Sequence, residues 1–294
     1  MKYLGTIILL TISISGFSQI RAFDNSKAIL PWIYNPTTSF ISDFQAYVGY
    51  DARGTSSFTP QSIVAGMRMP LFQQRIRAPK GRSRRSRQKV ATAVVGVQIL
   101  NTKQDILQST TINVSYAHQI DVSSRLNMAF GLGFGIFNMN YDYAALSFID
   151  QQDPLLNSGE SFFNLHLNAG VTLILDGNLF LNIAAPTLLK NNEANFDEII
   201  VRVGYPFAVG NDVIITAAAN LDTYNNNFIY GADIRVEWKE MISLLAGGDT
   251  NKYHLGLLFD VSNFALGYTF GQNFLPEQGQ LQAHQISLYS TLPF

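Results

Sequence analysis

Phe163-Asn164-Leu165-His166-Leu167-Asn168-Ala169-Gly170-Val171-Thr172-Leu173 is the stretch that decides the fold. Its odd positions are all apolar, and its even positions are polar or glycine. Successive side chains of a β-strand point to opposite faces, so the stretch reads as a strand with one apolar face and one polar-or-small face. Upstream, Leu126, Met128, Phe130, Leu132, Phe134 and Ile136 alternate in the same way with Arg125, Asn127, Ala129, Gly131, Gly133 and Gly135. The pattern returns at Tyr253, Leu255, Leu257 and Phe259, and again at Phe264, Leu266, Tyr268 and Phe270. No window of comparable length carries a 3.6-residue period. The chain is all-β.

Working outward, fourteen strands are expected, at 42–51, 61–72, 90–101, 108–120, 124–137, 161–174, 178–190, 196–208, 212–222, 226–237, 240–248, 252–260, 263–271 and 282–293. Most exceed the five or so residues of an ordinary globular strand. They match the roughly 9–11 residues that a tilted strand needs to cross a bilayer. The connections also alternate. Short ones fall at Asp121-Val122-Ser123, Asp176-Gly177, Gly210-Asn211, Lys239-Glu240 and Val261-Ser262; longer ones fall at 51–60, 138–160, 191–195, 221–225 and 272–281. Transmembrane barrels put short turns on the periplasmic side and long loops outside. The expected architecture is therefore a single antiparallel outer-membrane β-barrel over residues 42–294. A soluble sandwich or β-helix also alternates, but in water its outward apolar band would be one large sticky patch.

Composition agrees. Of 294 residues, 47% are hydrophobic and only 14% charged, against roughly 25% charged in an average globular chain. The mean hydropathy of +0.09 is too low for a bundle of membrane helices. Only the extreme N-terminus approaches the roughly 20 apolar residues of a helical span. There is no cysteine, hence no disulfide framework and no thiolate zinc site. Residues 1–18 carry Lys2, an apolar run from Leu4 to Ile14, and small residues before Gln19, the pattern of a cleaved secretory signal peptide. Residues 19–41, with Pro31, Trp32, Tyr34 and Pro36, precede the first strand. Two readings of this segment stand: a plug folded into the barrel, or a lead-in to the first strand. The glycines at 131, 133 and 135 point to a wall that bends or that something approaches closely.

The order of motifs resembles the PorP/SprF family, Bacteroidota outer-membrane proteins of the type IX secretion system and gliding motility. The motifs are Tyr34-Asn35-Pro36-Thr37-Thr38-Ser39-Phe40, VVGVQILN (94–101), INVSYAHQI (112–120), MAFGLGFGIF (128–137) and Asp153-Pro154. They continue with FFNLHLNAGVTLIL (162–175), NLFLNIAAPTLL (178–189), Gly267-Tyr268 and HQISLYSTL (284–292), ending at the aromatic Phe294. Thr37-Thr38 and His284-Gln285 stand where the family commonly has Ala-Tyr and His-Glu. The resemblance implies a non-catalytic component of the type IX machinery. It would bind a secreted cargo or adhesin C-terminal domain, the periplasmic secretion complex, or both. The alternative is an outer-membrane channel for small or hydrophobic solutes.

The chain carries no recognisable catalytic constellation. His118, His166, His254 and His284 each lie within an expected strand, none beside the nucleophile and orienting group that a lipase requires. Neither a phosphate loop nor a metal-binding cluster is present, so no cofactor is expected. Asp142, Asp150 and Asp153 read as a solvated acidic loop in preference to a weak calcium site. One segment stands apart: residues 73–89 hold Arg75, Arg77, Lys80, Arg82, Arg84, Arg85, Arg87 and Lys89, with no acid among them. These are eight of 20 basic residues, leaving 12 against 21 acidic ones elsewhere, a balance of −9. Such like-charge blocks act as interaction tails or as unpartnered mobile turns. Strand parity puts this one in the periplasm, facing an acidic protein surface or the lipid headgroups. Nucleic acid is not an expected partner of an exported barrel.

Overall fold

The computed structural model describes residues 33–37, 44–54, 60–75, 89–104, 107–141, 161–190, 193–194, 198–224, 227–273 and 282–292. The signal segment 1–18, the acidic loop with Asp142, Asp150 and Asp153, and residues 274–281 lie outside them. The described residues form sixteen strands in chain order: β1 (Phe44–Gly54), β2 (Gln61–Arg75), β3 (Lys89–Gln104), β4 (Leu107–Asp121), β5 (Leu126–Tyr141), β6 (Ser161–Leu175), β7 (Leu179–Ala185), β8 (Leu189–Lys190), β9 (Glu193–Ala194), β10 (Glu198–Val209), β11 (Val213–Tyr224), β12 (Asn227–Trp238), β13 (Ile242–Asp249), β14 (Lys252–Val261), β15 (Phe264–Asn273) and β16 (Gln282–Leu292). All but β8 and β9 form one closed barrel of fourteen strands, each paired antiparallel with its neighbours. β1 closes on β16 from Phe44↔Leu292 to Gly54↔Gln282. Closure leaves no unpaired edge, which is the condition for a sheet to sit in lipid.

The barrel is sorted inside-out relative to a soluble protein. On β5, Phe130, Leu132 and Phe134 are 43–59% exposed, whereas Ala129, Gly131, Gly133 and Gly135 face inward. Among the described residues, sixteen polar or charged side chains are buried against fourteen apolar ones, and half of the latter are alanine. The large apolar side chains stand outward instead, from Val48 and Ile63 round to Leu266 and Ile286. Aromatic residues collect at both rims of this outward band. Tyr116, Phe130, Tyr205, Phe207, Trp238 and Phe264 lie toward one end, and Phe163, Phe228, Tyr230 and Phe270 toward the other. Such paired girdles mark the two membrane interfaces. His118 and His284 belong to them: His118 meets the Tyr116 hydroxyl at 3.2 Å, and His284 meets that of Tyr268 at 2.8 Å.

The ends differ. At one, the turn end, lie 122–125, 176–178, 210–212, 239–241 and 262–263. Every described residue with a left-handed backbone sits there: Asp176, Gly177, Gly210, Lys239, Glu240 and Ser262. Leu175-Asp176-Gly177-Asn178 and Trp238-Lys239-Glu240-Met241 close with hydrogen bonds from Asn178 N and Met241 N. Two successive left-handed residues define the type I′ turn, whose twist matches that of a hairpin. The opposite, loop end is less regular than the sequence suggests. β11 runs on to Tyr224, so only 225–226 separate it from β12 where a longer link was expected. The links 105–106 and 250–251 are equally short.

Two prolines shape the wall. The strand expected at 178–190 stops at Ala185, because Pro186 has no N–H for the ladder. The chain touches the sheet once more, Leu188 N donating to Leu167 O at 2.7 Å, and then forms the small β8–β9 hairpin at the loop end. On β2, Pro70 begins an irregularity in which the register with β3 shifts on either side of Phe72. Such bulges accommodate a residue that cannot donate.

Candidate functional site

The barrel interior is where polar chemistry concentrates, and its two walls differ. At mid-height β3 to β7 present Gly96, Asn113, Ser115, Gly131, Gly133, His166, Asn168, Gly170, Thr172 and Asn182, small or amide-bearing apart from one histidine. The wall of β10 to β14 is charged. Arg202 on β10 donates to Asp233 on β12 at 2.6 Å, and Asn220 on β11 donates to the other Asp233 oxygen at 2.8 Å. Arg202 also lies over the Phe180 ring, 5.7 Å from its centroid. One step toward the turn end, Arg235 pairs with Glu237 at 3.2 Å and donates to Ser243 at 3.0 Å. Asp249 pairs with Lys252 at 3.7 Å near the loop end, as Asp51 does with Arg53 at 2.8 Å on β1. Placing each charge beside its counterion is what makes burial of these side chains tolerable.

Against the small-residue wall lies the segment Ile33-Tyr34-Asn35-Pro36-Thr37. Asn35 and Thr37 are 3% and 1% exposed, among the most buried polar side chains of the described residues, and Tyr34 between Ile33 and Asn35 is half-buried. Asn35 Oδ1 accepts from Thr37 N at 2.9 Å and from the Thr37 hydroxyl at 2.6 Å, folding the Asn-Pro-Thr unit into a tight Asx turn. The Thr37 and Thr172 hydroxyls are 2.7 Å apart, and Thr172 reaches Asn182 Oδ1 at 2.8 Å. From β2, Arg68 donates from Nη2 to the Pro36 carbonyl at 2.9 Å. Two glycines make the approach possible. A Cβ on Gly170 would overlap Asn35 Oδ1, and one on Gly131 would lie 2.8 Å from Thr37 Cγ2 and 3.1 Å from Pro36 Cγ. Ile33 joins an apolar cluster with Tyr47, Val64, Leu245, Leu258 and Ala265, packed by Tyr34, Leu100 and Tyr289.

Comparison with known proteins places this geometry. A family model described as type IX secretion system membrane protein PorP/SprF matches residues 30–288. The chain belongs to the PorP/SprF family. As a PorP/SprF protein with an outer-membrane barrel fold it resides in the outer membrane and is a component of the type IX secretion system. No curated protein matches it. Among solved structures, it resembles the outer membrane protein Omp33 of Acinetobacter baumannii, with TM-score 0.54 and 10% identity over 86% of this chain and 99% of that one. The Ralstonia pickettii toluene transporter TbuX is similar at TM-score 0.52 and 10% identity, over 88% and 92% of the two chains. The CymD monoaromatic hydrocarbon channel follows at 0.51 and 10%, over 86% and 89%. At this identity the likeness is one of fold.

The basic residues singled out in the sequence fall mostly outside the described residues of this PorP/SprF chain. Arg77, Lys80, Arg82, Arg84, Arg85 and Arg87 lie in 76–88. Arg75 and Lys89 are backbone partners at the last rung of β2 and β3, so the connection leaves from the turn end. Of the four histidines, His166 and His254 face inward and His118 and His284 outward. Sequence reasoning gave no role to Arg68, Asn220 or the Arg202–Asp233 pair. The signal available was a charged residue at an inward position of a strand, as with Arg68 between Met67 and Met69. The family's Asn35-Pro36 element lay in the segment 19–41, which it left open between a plug and a lead-in, naming no residue of the wall as its partner.

Proposed function

We propose that this PorP/SprF protein is a non-catalytic docking frame of the type IX machinery. In this reading the connection between β2 and β3 binds the periplasmic secretion complex, and the loops 142–160 and 274–281 hold a secreted cargo or adhesin C-terminal domain. One observation carries the first half. Eight of the chain's 20 basic residues lie between and including Arg75 and Lys89, and those two residues pair at the barrel's turn end, the periplasmic side in outer-membrane barrels. A cationic segment there suits an acidic protein face. Its attraction falls with salt, since charges are screened beyond roughly 10 Å at 0.1 M ionic strength.

The test is neutralisation. With Arg77, Arg82, Arg84, Arg85 and Arg87 all changed to Gln, co-purification of periplasmic secretion components at low salt is expected to fall to a small fraction of wild type. Unchanged recovery removes the docking role of this segment. A second reading, a channel for small solutes, draws on the ionised interior wall around Asp233 and Asp249. A steady, solute-blockable conductance of the full-length protein in planar bilayers would favour it.

A further inference from the structure

We infer that Ile33–Thr37 is a built-in peptide ligand of the barrel. Its receptor is the seat formed by Arg68, Gly131, Gly170 and Thr172, which recognises an Asn-Pro turn and keeps the interior closed until that turn is withdrawn. This does not depend on the secretion role above.

β6, which carries Gly170 and Thr172, is five strands round the wall from β1, yet Thr37 is only seven residues before Phe44, where β1 starts. Seven residues extend over at most about 25 Å, so the segment reaches β6 across the interior. A lead-in to β1 would run beside β2 or β16, and no such strand needs its Asn and Thr buried against β5 and β6. The contacts are also distributed. Polar ones go to β2 through Arg68 and to β6 through Thr172, while Ile33 packs among residues of β1, β2, β13, β14 and β15. One short segment thus ties opposite walls together.

The recognition is specific in chemistry. Pro36 has no N–H and offers the wall only its carbonyl, which accepts from the Arg68 guanidinium. Asn35 uses its side-chain oxygen to hold Thr37, which orients the Thr37 hydroxyl toward Thr172. Gly131 and Gly170 supply the missing volume. A turn of Asn, Pro and a hydroxyl residue is the ligand class that satisfies all four positions together.

The absence of cysteine makes the test clean. In the full-length protein carrying T37C and T172C, mild oxidation is expected to join the introduced pair nearly completely, because the native hydroxyls already touch. Failure to cross-link in folded, heat-modifiable protein overturns the inference. In planar bilayers, wild type is expected to show little conductance and Gly170→Leu severalfold more, because the added side chain evicts Asn35. Should Gly170→Leu not fold, Asn35→Trp places the bulk on the segment instead of the wall and is expected to open the barrel equally. Conductance equal to wild type in a folded Gly170→Leu or Asn35→Trp protein overturns the closing role.

Discussion

The smallest units of this barrel that carry function are single inward side chains whose partners lie on other strands. Asp233 accepts from both Arg202 and Asn220 and is 4% exposed. Removing one member of a buried ion pair leaves the other charge desolvated and uncompensated, at a cost of several kcal/mol. Asp233→Ala is therefore expected to lower stability by about 3 kcal/mol, read as the urea midpoint in detergent micelles. The double change Arg202→Met with Asp233→Leu is expected to recover most of that loss, because the penalty lies in the orphaned guanidinium. A double variant as unstable as Asp233→Ala alone would show that the wall needs the charges themselves.

Among the elements, the hairpins of the turn end show how local conformation and sequence can disagree. Lys239 and Glu240 adopt φ of 51° and 56° in the turn between β12 and β13, a region costing an L-residue roughly 1–2 kcal/mol. The tight register of Trp238↔Ile242 demands it. Lys239 is further held 5.1 Å from the Trp238 ring, so the strain is best relieved at its neighbour. Glu240→Gly is expected to raise stability by roughly 0.5–1 kcal/mol after the entropic cost of glycine in the unfolded chain is subtracted. The same thermal or urea comparison checks it, and a decrease would mean that the turn's side chain has a partner worth more than the strain. Pro186 is the opposite case, an element boundary imposed by one residue's lack of an N–H.

At the scale of the whole molecule the ruling fact is the inverted surface. Leu132 stands 59% exposed in the outward band, flanked by Phe130 and Phe134, while Gly131 and Gly133 beside it face the interior. Charge on the lipid face of a barrel is costly in proportion to depth. Leu132→Arg is expected to destabilise the protein in phospholipid vesicles by about 2–4 kcal/mol. Val122→Arg, in a turn at the membrane edge, is expected to change stability little. Equal effects at the two positions would contradict the placement of the bilayer on this band.

Alternation of side chains is local information, and the same two media surround every strand. For that reason the number of barrel strands, their phase and the choice of Leu132 over Gly131 for the outer face were legible residue by residue. Pro186 was equally visible, but Leu188 and Leu189 beyond it kept the apolar pattern alive and concealed the break. The connection 221–225 looked like a loop because Asp222, Thr223 and Asn225 are polar, whereas cross-strand pairing carried β11 on to Tyr224. The interior could not be read in the same way. Arg202 meets Asp233 only because register sets it beside Asn220 on β11, whose own partner on β12, Gly231, lies two residues from Asp233, and Arg68 meets Pro36 only because the wall curves back round a returning segment. Register and curvature are properties of the closed sheet. The strands and their two faces therefore follow from the order of residues, while the seat of Asn35 exists only once fourteen strands have closed around it.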